Sequence, residues 1–222
     1  MLTPRLRASC FLFGLAILPL APSHAQEIVD KGFYAVARAG ASVNPELKFD
    51  SEALGVSAIS DDTVKYKVAP FGEVGGGYSF GKFRVEETLG YSSSDAKSSN
   101  AQGRARFYYL TVSGFADIPV TDVVVPYVGG GMGAVRVDSD LSWANALTNT
   151  DVTIQGKAWG PFWHVDAGVG FRVAPKITVD LGVRYAKSFS SMKGIGHDDN
   201  DGLVPVAQFN AASALLGARY HF

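Results

Sequence analysis

Cysteine is nearly missing from this sequence of 222 residues, and its single copy, Cys10, falls in the opening segment. Beyond that segment there is no thiol, which excludes disulfides, thiolate catalysis and zinc-thiolate sites there. Long apolar runs are missing too. The run from Cys10 to Leu20 is about eleven residues, well short of the roughly twenty a helix needs to span a bilayer. Arg5 and Arg7 precede it, and Ser23 and Ala25 put small residues at the −3 and −1 positions of a signal-peptidase site. The expectation is a secretory signal over 1–25, cut between Ala25 and Gln26, followed by one domain over 26–222. Cys10 precedes most of the apolar run, whereas a lipoprotein cysteine would follow it, so no lipid anchor is expected. An excess of positive charge is also absent: residues 26–222 hold 18 basic against 21 acidic side chains, which gives nucleic acid nothing to bind.

What is present points to strands. Twenty-five glycines, 12% aromatic and only 18% charged residues describe a chain poorer in charge than an average globular protein. With no long apolar stretch after Ala25, a helical membrane protein is excluded. Alternating polarity predicts eight strands, at Phe33 to Val43, Val68 to Phe80, Lys82 to Tyr91, Arg106 to Ile118, Val124 to Val137, Trp159 to Val173, Ile177 to Lys187 and Phe209 to Phe222. Short connections alternate strictly with long polar ones over 44–67, 92–105, 138–158 and 188–208. Long loops of this kind are uncommon inside compact soluble domains. The pattern predicts an all-β fold, an eight-stranded antiparallel up-and-down transmembrane β-barrel with short periplasmic turns and long extracellular loops.

Parity assigns the faces. Ala212, Ala214, Leu216, Ala218, Tyr220 and Phe222 alternate with Ser213, Gly217, Arg219 and His221, and the two preceding strands repeat the arrangement. Aromatic residues near strand ends, including Phe33, Tyr78, Phe80, Phe83, Tyr91, Tyr108, Tyr127, Trp159, Trp163, Tyr185, Tyr220 and Phe222, fit interfacial girdles. Glu87 falls on the apolar face beside Val85 and Leu89, so it is expected near the outer interface or at a local bulge. The polar face would fill the lumen with Arg38, Arg84, Arg172, Arg184 and Arg219 against Glu73, Glu86, Asp166 and Asp180. Eight strands enclose a space only just wide enough for side chains, and water channels appear at about sixteen. The lumen is therefore expected to be plugged by a connected ion-pair network, because buried charges must be paired.

The run Leu215-Leu216-Gly217-Ala218-Arg219-Tyr220-His221-Phe222 resembles the terminal strand of bacterial outer-membrane barrels. Pro126-Tyr127-Val128-Gly129-Gly130-Gly131-Met132-Gly133 and Val183-Arg184-Tyr185 resemble strands of small opacity-protein-like and OmpA-type barrels, a class that includes porin-family surface antigens. The resemblance implies an outer-membrane location, contact with outer-membrane lipid and lipopolysaccharide, and reading of Tyr220 and Phe222 by the barrel assembly machinery. It implies a structural or surface-interaction protein, with a narrow pore or a lipid-A-modifying enzyme as alternatives. No appended peptidoglycan-binding domain is expected.

Other motifs carry less. Gly129 to Ala134 matches a dinucleotide fingerprint, but a strand continues where a helix must open. His197 to Gly202 looks like a calcium loop, yet its twelfth position is Gln208, not glutamate. His164 and Asp166 share a face, with side chains expected about seven ångströms apart by strand geometry and no matching serine. Ser188, Ser190 and His197 lie near one another in the last loop. No cofactor, metal or catalytic set is expected. Leu47, Phe49, Leu141, Trp143 and Leu147 form a candidate contact patch for a surface ligand, with 141–147 as a short helix.

Overall fold

A computed structural model describes residues 31–49, 63–65, 67–96, 101–145, 150–189, 193–198 and 206–222. The expected signal segment with Ala25 and Gln26, and residues Leu147, Ser190 and Asp199 to Gly202, lie outside the described residues. Ten strands follow one another: β1 (Lys31–Phe49), β2 (Thr63–Lys65), β3 (Ala69–Phe80), β4 (Phe83–Asp95), β5 (Ala101–Asp117), β6 (Val124–Asn145), β7 (Thr150–Ala174), β8 (Ile177–Ser188), β9 (Lys193–Asp198) and β10 (Val206–His221). Eight of them, all but β2 and β9, run antiparallel in the order β1, β3, β4, β5, β6, β7, β8, β10, and β10 pairs back onto β1. This is a closed eight-stranded barrel. The short β2 pairs with β1, and β9 pairs with the upper part of β7.

Closure rests on the period of two. Successive side chains of a strand leave opposite faces of the sheet, and on β4 Arg84, Glu86 and Thr88 are buried while Phe83, Val85 and Leu89 are exposed. Small residues on the inner face make room for rings. A Cβ on Gly90 would fall 2.1 Å from the Tyr109 ring, and one on Gly129 would fall 2.3 Å from Phe115. The glycine run of β6 is thus packing space in a strand, which disposes of the dinucleotide reading. At the short-turn end Gly81 takes φ +110° between β3 and β4, a conformation that favours glycine.

Four expectations need correction. The connections expected over 44–67, 92–105, 138–158 and 188–208 are partly strand, because β1, β4, β5, β6, β7 and β10 continue past the apolar band and β9 forms within the last of them. A membrane crossing takes about 9–11 residues of strand, whereas β6 has 22 and β7 has 25. Residues 141–145, expected as helix, pair in register with 150–154. Tyr127, placed in the girdle, is buried inside the barrel against Phe115. Glu87 is neither at the interface nor at a bulge: it pairs in unbroken register with Gly76 on one side and Val112 on the other, midway between Phe83 and Tyr91.

The girdles are otherwise in place. Phe33, Tyr78 and Phe80 stack at the short-turn end, beside the Tyr220–Phe222 pair of β10. At the other end Tyr91 meets Tyr108, and Arg136 lies over the Tyr108 and Trp159 rings.

Candidate functional site

Among the described residues the lumen contains the densest cluster of charged side chains. Four arginines and five carboxylates from seven strands form one chain of contacts. At the short-turn end the Arg219 guanidinium grips Asp180 with two hydrogen bonds of 2.8 Å and faces Asp117 at 3.6 Å. Asp117 also accepts from Arg84 Nε at 3.1 Å, and Arg84 Nη1 bonds Glu86. Arg38 spans Glu86 at 2.5 Å and Glu73 at 3.1 Å. Arg184 then joins Glu73, at 2.7 Å through Nη1, to Asp166, at 2.9 and 2.8 Å. The Tyr34 hydroxyl donates to Glu86 at 2.9 Å and that of Tyr109 to Glu73 at 3.3 Å.

The arrangement follows from chemistry as much as from spacing. A guanidinium presents five N–H donors in a rigid plane and stays protonated, so each arginine can serve two carboxylates from different strands. Arg84 Nη2 makes no hydrogen bond. Its guanidinium lies 4.0 Å from the Phe115 ring centroid and 5.0 Å from that of Tyr127, and ring faces attract a desolvated cation.

Of the nine expected lumen residues, Arg38, Glu73, Arg84, Glu86, Asp166, Asp180, Arg184 and Arg219 meet in this network. Arg172 sits half-buried at the short-turn rim, where Nη1 donates to the Asp122 carbonyl at 3.2 Å. Asp117 was missed, although its parity with Ser113 and Phe115 places it inward. A second omission is larger. His164 Nδ1 lies 2.9 Å from Asp166 Oδ1 and His164 Nε2 lies 3.1 Å from Ser113 Oγ, so the expected seven-ångström gap is a direct contact and a serine completes the row. The order resembles the hydroxyl, imidazole and carboxylate of a hydrolase. The surroundings do not. All three side chains are buried, Asp166 is also gripped by Arg184, and the β6 backbone closes so tightly that a Cβ on Gly131 would stand 2.7 Å from Ser113 Oγ and 2.8 Å from His164 Nε2. The row is closed in by the barrel wall.

Above the network Phe71, Phe107, Phe162 and Phe209 gather inside the barrel with Tyr109. They surround a cavity of about 80 Å³, room for a few waters at most. Among the described residues no cluster of three or more His, Asp or Glu is arranged to hold a metal. The outer face carries a second polar feature just above the extracellular girdle. Tyr108, Arg136 and Trp159 align across three strands, and one step higher Arg106, Asp138 and Lys157 do the same.

Solved structures share the architecture. The crystal structure of neisserial surface protein A superposes with a TM-score of 0.53 at 20% identity, covering 86% of this chain and 97% of that one. The outer membrane protein OprG of Pseudomonas aeruginosa gives 0.52 at 16% identity, with 87% and 97% covered. Curated relatives include uncharacterised proteins of Brucella abortus and Brucella suis, 25% identical over 139 residues. The chain spans about half the length of these curated relatives, 48%, and 54% of this chain is aligned. The family described as outer membrane protein beta-barrel domain matches residues 13–222, and with the closed barrel, its two aromatic girdles and its charged interior this chain belongs to that family and is located in the bacterial outer membrane.

Proposed function

We propose that this chain is a non-catalytic surface scaffold: a barrel with a filled lumen that holds a long hairpin away from the membrane for contact with an external macromolecule. The observation that carries the reading is the β6–β7 hairpin, which stays paired from Arg136–Trp159 out to Asn145–Thr150. Nine residues of strand beyond the girdle, at 3.2–3.4 Å each, reach roughly 30 Å. Such a projection gives a binding protein a fixed edge. The ion network and the phenylalanine collar inside the barrel support the same reading.

Two partners follow from the outer surface. Arg106 and Lys157, flanking Asp138 above the girdle, would meet phosphates of lipopolysaccharide, since guanidinium and ammonium groups bind phosphate. The assembly machinery would read Tyr220 and Phe222, which point outward at the free end of β10. The surface role is tested by replacing residues 139–156 with a two-residue turn and comparing attachment of bacteria bearing the intact or shortened protein to cultured host cells. Attachment is expected to fall to the level of bacteria lacking the protein. Equal attachment of both strains, with both barrels present in the outer membrane, sinks the reading.

A further inference from the structure

Between the two girdles, every outward-facing described residue is apolar or glycine except one, Glu87. It stands halfway along the apolar stretch of β4, between Phe83 and Tyr91, and its carboxyl group makes no hydrogen bond or ion pair among the described residues. Lipid tails supply no partner to a carboxyl group at this depth, so such residues are rare and mark contacts.

A second observation comes from the glycines. On the inner face they are sterically required: a Cβ on Gly75 would fall 2.0 Å from the Glu87 carbonyl oxygen and one on Gly77 would fall 2.4 Å from that of Val85. The outward glycines around Glu87 are different. A Cβ on Gly114 would meet nothing within 4 Å, and one on Gly76, the partner of Glu87, only a backbone oxygen at 3.5 Å. Nothing within this chain needs these positions to be bare. Their smallness leaves the outer surface low beside the carboxyl group.

We propose that Glu87 is the centre of an intramembrane contact between two copies of this chain, in which the two Glu87 carboxyl groups hydrogen-bond to each other across a two-fold axis and the bare glycines let the sheets approach. Symmetry selects the partner. Every copy enters the membrane with the same end outward, so the axis of a symmetric pair lies along the membrane normal and each interface residue meets groups at its own depth. At that depth the only polar side chain on the outer face among the described residues is Glu87 itself. A neutral carboxyl group both donates and accepts, so two of them satisfy each other, and hydrocarbon tolerates the neutral, paired form far better than an isolated charge.

The test uses the absence of native thiols after Cys10. Val85→Cys and Leu89→Cys, the outward neighbours of Glu87 on β4, and Val183→Cys on the outer face of β8 are placed singly in the chain, purified from outer membranes and reconstituted in dilute phosphatidylethanolamine–phosphatidylglycerol vesicles. Mild oxidation should cross-link the two β4 variants to dimers and leave the β8 variant monomeric. Adding Glu87→Leu should cut the cross-linked fraction about tenfold, the loss expected from roughly 1.4 kcal/mol, whereas Glu87→Gln should retain it, because an amide also donates and accepts. Glu87→Leu makes the lipid face more apolar and so leaves barrel folding intact, which the heat-dependent gel shift checks. Gly76→Leu, which spares the carboxyl group, should weaken cross-linking as well. Cross-linking at Val183→Cys equal to that at Val85→Cys overturns the proposal. So does a Glu87→Leu chain that dimerises as before, or single-molecule counting that finds only monomers.

Discussion

Arg184 holds more of the lumen together than any other side chain, since it alone joins Glu73 on β3 to Asp166 on β7 through four hydrogen bonds. Its removal leaves two buried carboxylates short of a partner. Arg184→Ala should therefore lower stability by about 3–5 kcal/mol, read from urea unfolding of the refolded protein in detergent micelles. The pair between Arg104 and Asp95 is the contrast. Arg104 beside it holds the Asp95 carboxyl below the usual carboxylate range, so its contribution is present at neutral pH and fades as the pH falls through that lowered value. Both side chains are about half exposed, and water and salt screen such a pair. Arg104→Ala should leave the urea midpoint unchanged at pH 7. Glycines give a similar contrast. Gly75→Ala puts a Cβ against backbone and should block folding, whereas Gly114→Ala, with open space around it, should fold at the wild-type yield. The heat-dependent gel shift distinguishes the two.

At the level of the strands, alternation in the sequence located all eight barrel elements and the inward or outward sense of nearly every residue, because a period of two is the geometry of the strand itself. Height was harder to read. Whether a residue lies at the rim, the girdle or the middle depends on its register with two neighbouring strands, and no single strand carries that information. Glu87 was expected near the outer interface or at a bulge for this reason, and Tyr127 was counted in the girdle from its nearness to a strand end although its parity with Gly129 and Gly131 points it inward. The ends of β6 and β7 were read as loop because Asp, Ser, Asn and Thr are common both in turns and in strands wetted on both faces. The His164–Asp166 contact was missed because backbone spacing says nothing about two side chains leaning together. β10 carries its own prediction. Phe222 is exposed and its amide donates to the Phe33 carbonyl at 3.2 Å. If the assembly machinery reads this end, Phe222→Ala should sharply reduce the amount reaching the outer membrane in cells while the purified variant refolds in detergent at the wild-type yield.

For the molecule as a whole, the central expectation is electrical silence. In planar bilayers the wild-type protein should give no discrete conductance steps, and steps that change on Arg184→Ala would show that the lumen conducts.

The salt-bridge chain draws on both of the strands that are last to meet. Arg38 comes from β1, Arg219 from β10, and these two strands join only when the sheet rolls shut. Until then a flat, half-inserted sheet would hold out unmatched guanidinium and carboxylate groups to fatty acyl tails. Partial insertion is thus penalised most steeply just before completion, and the polypeptide should enter the bilayer in a single concerted event, with no lasting population of open sheets.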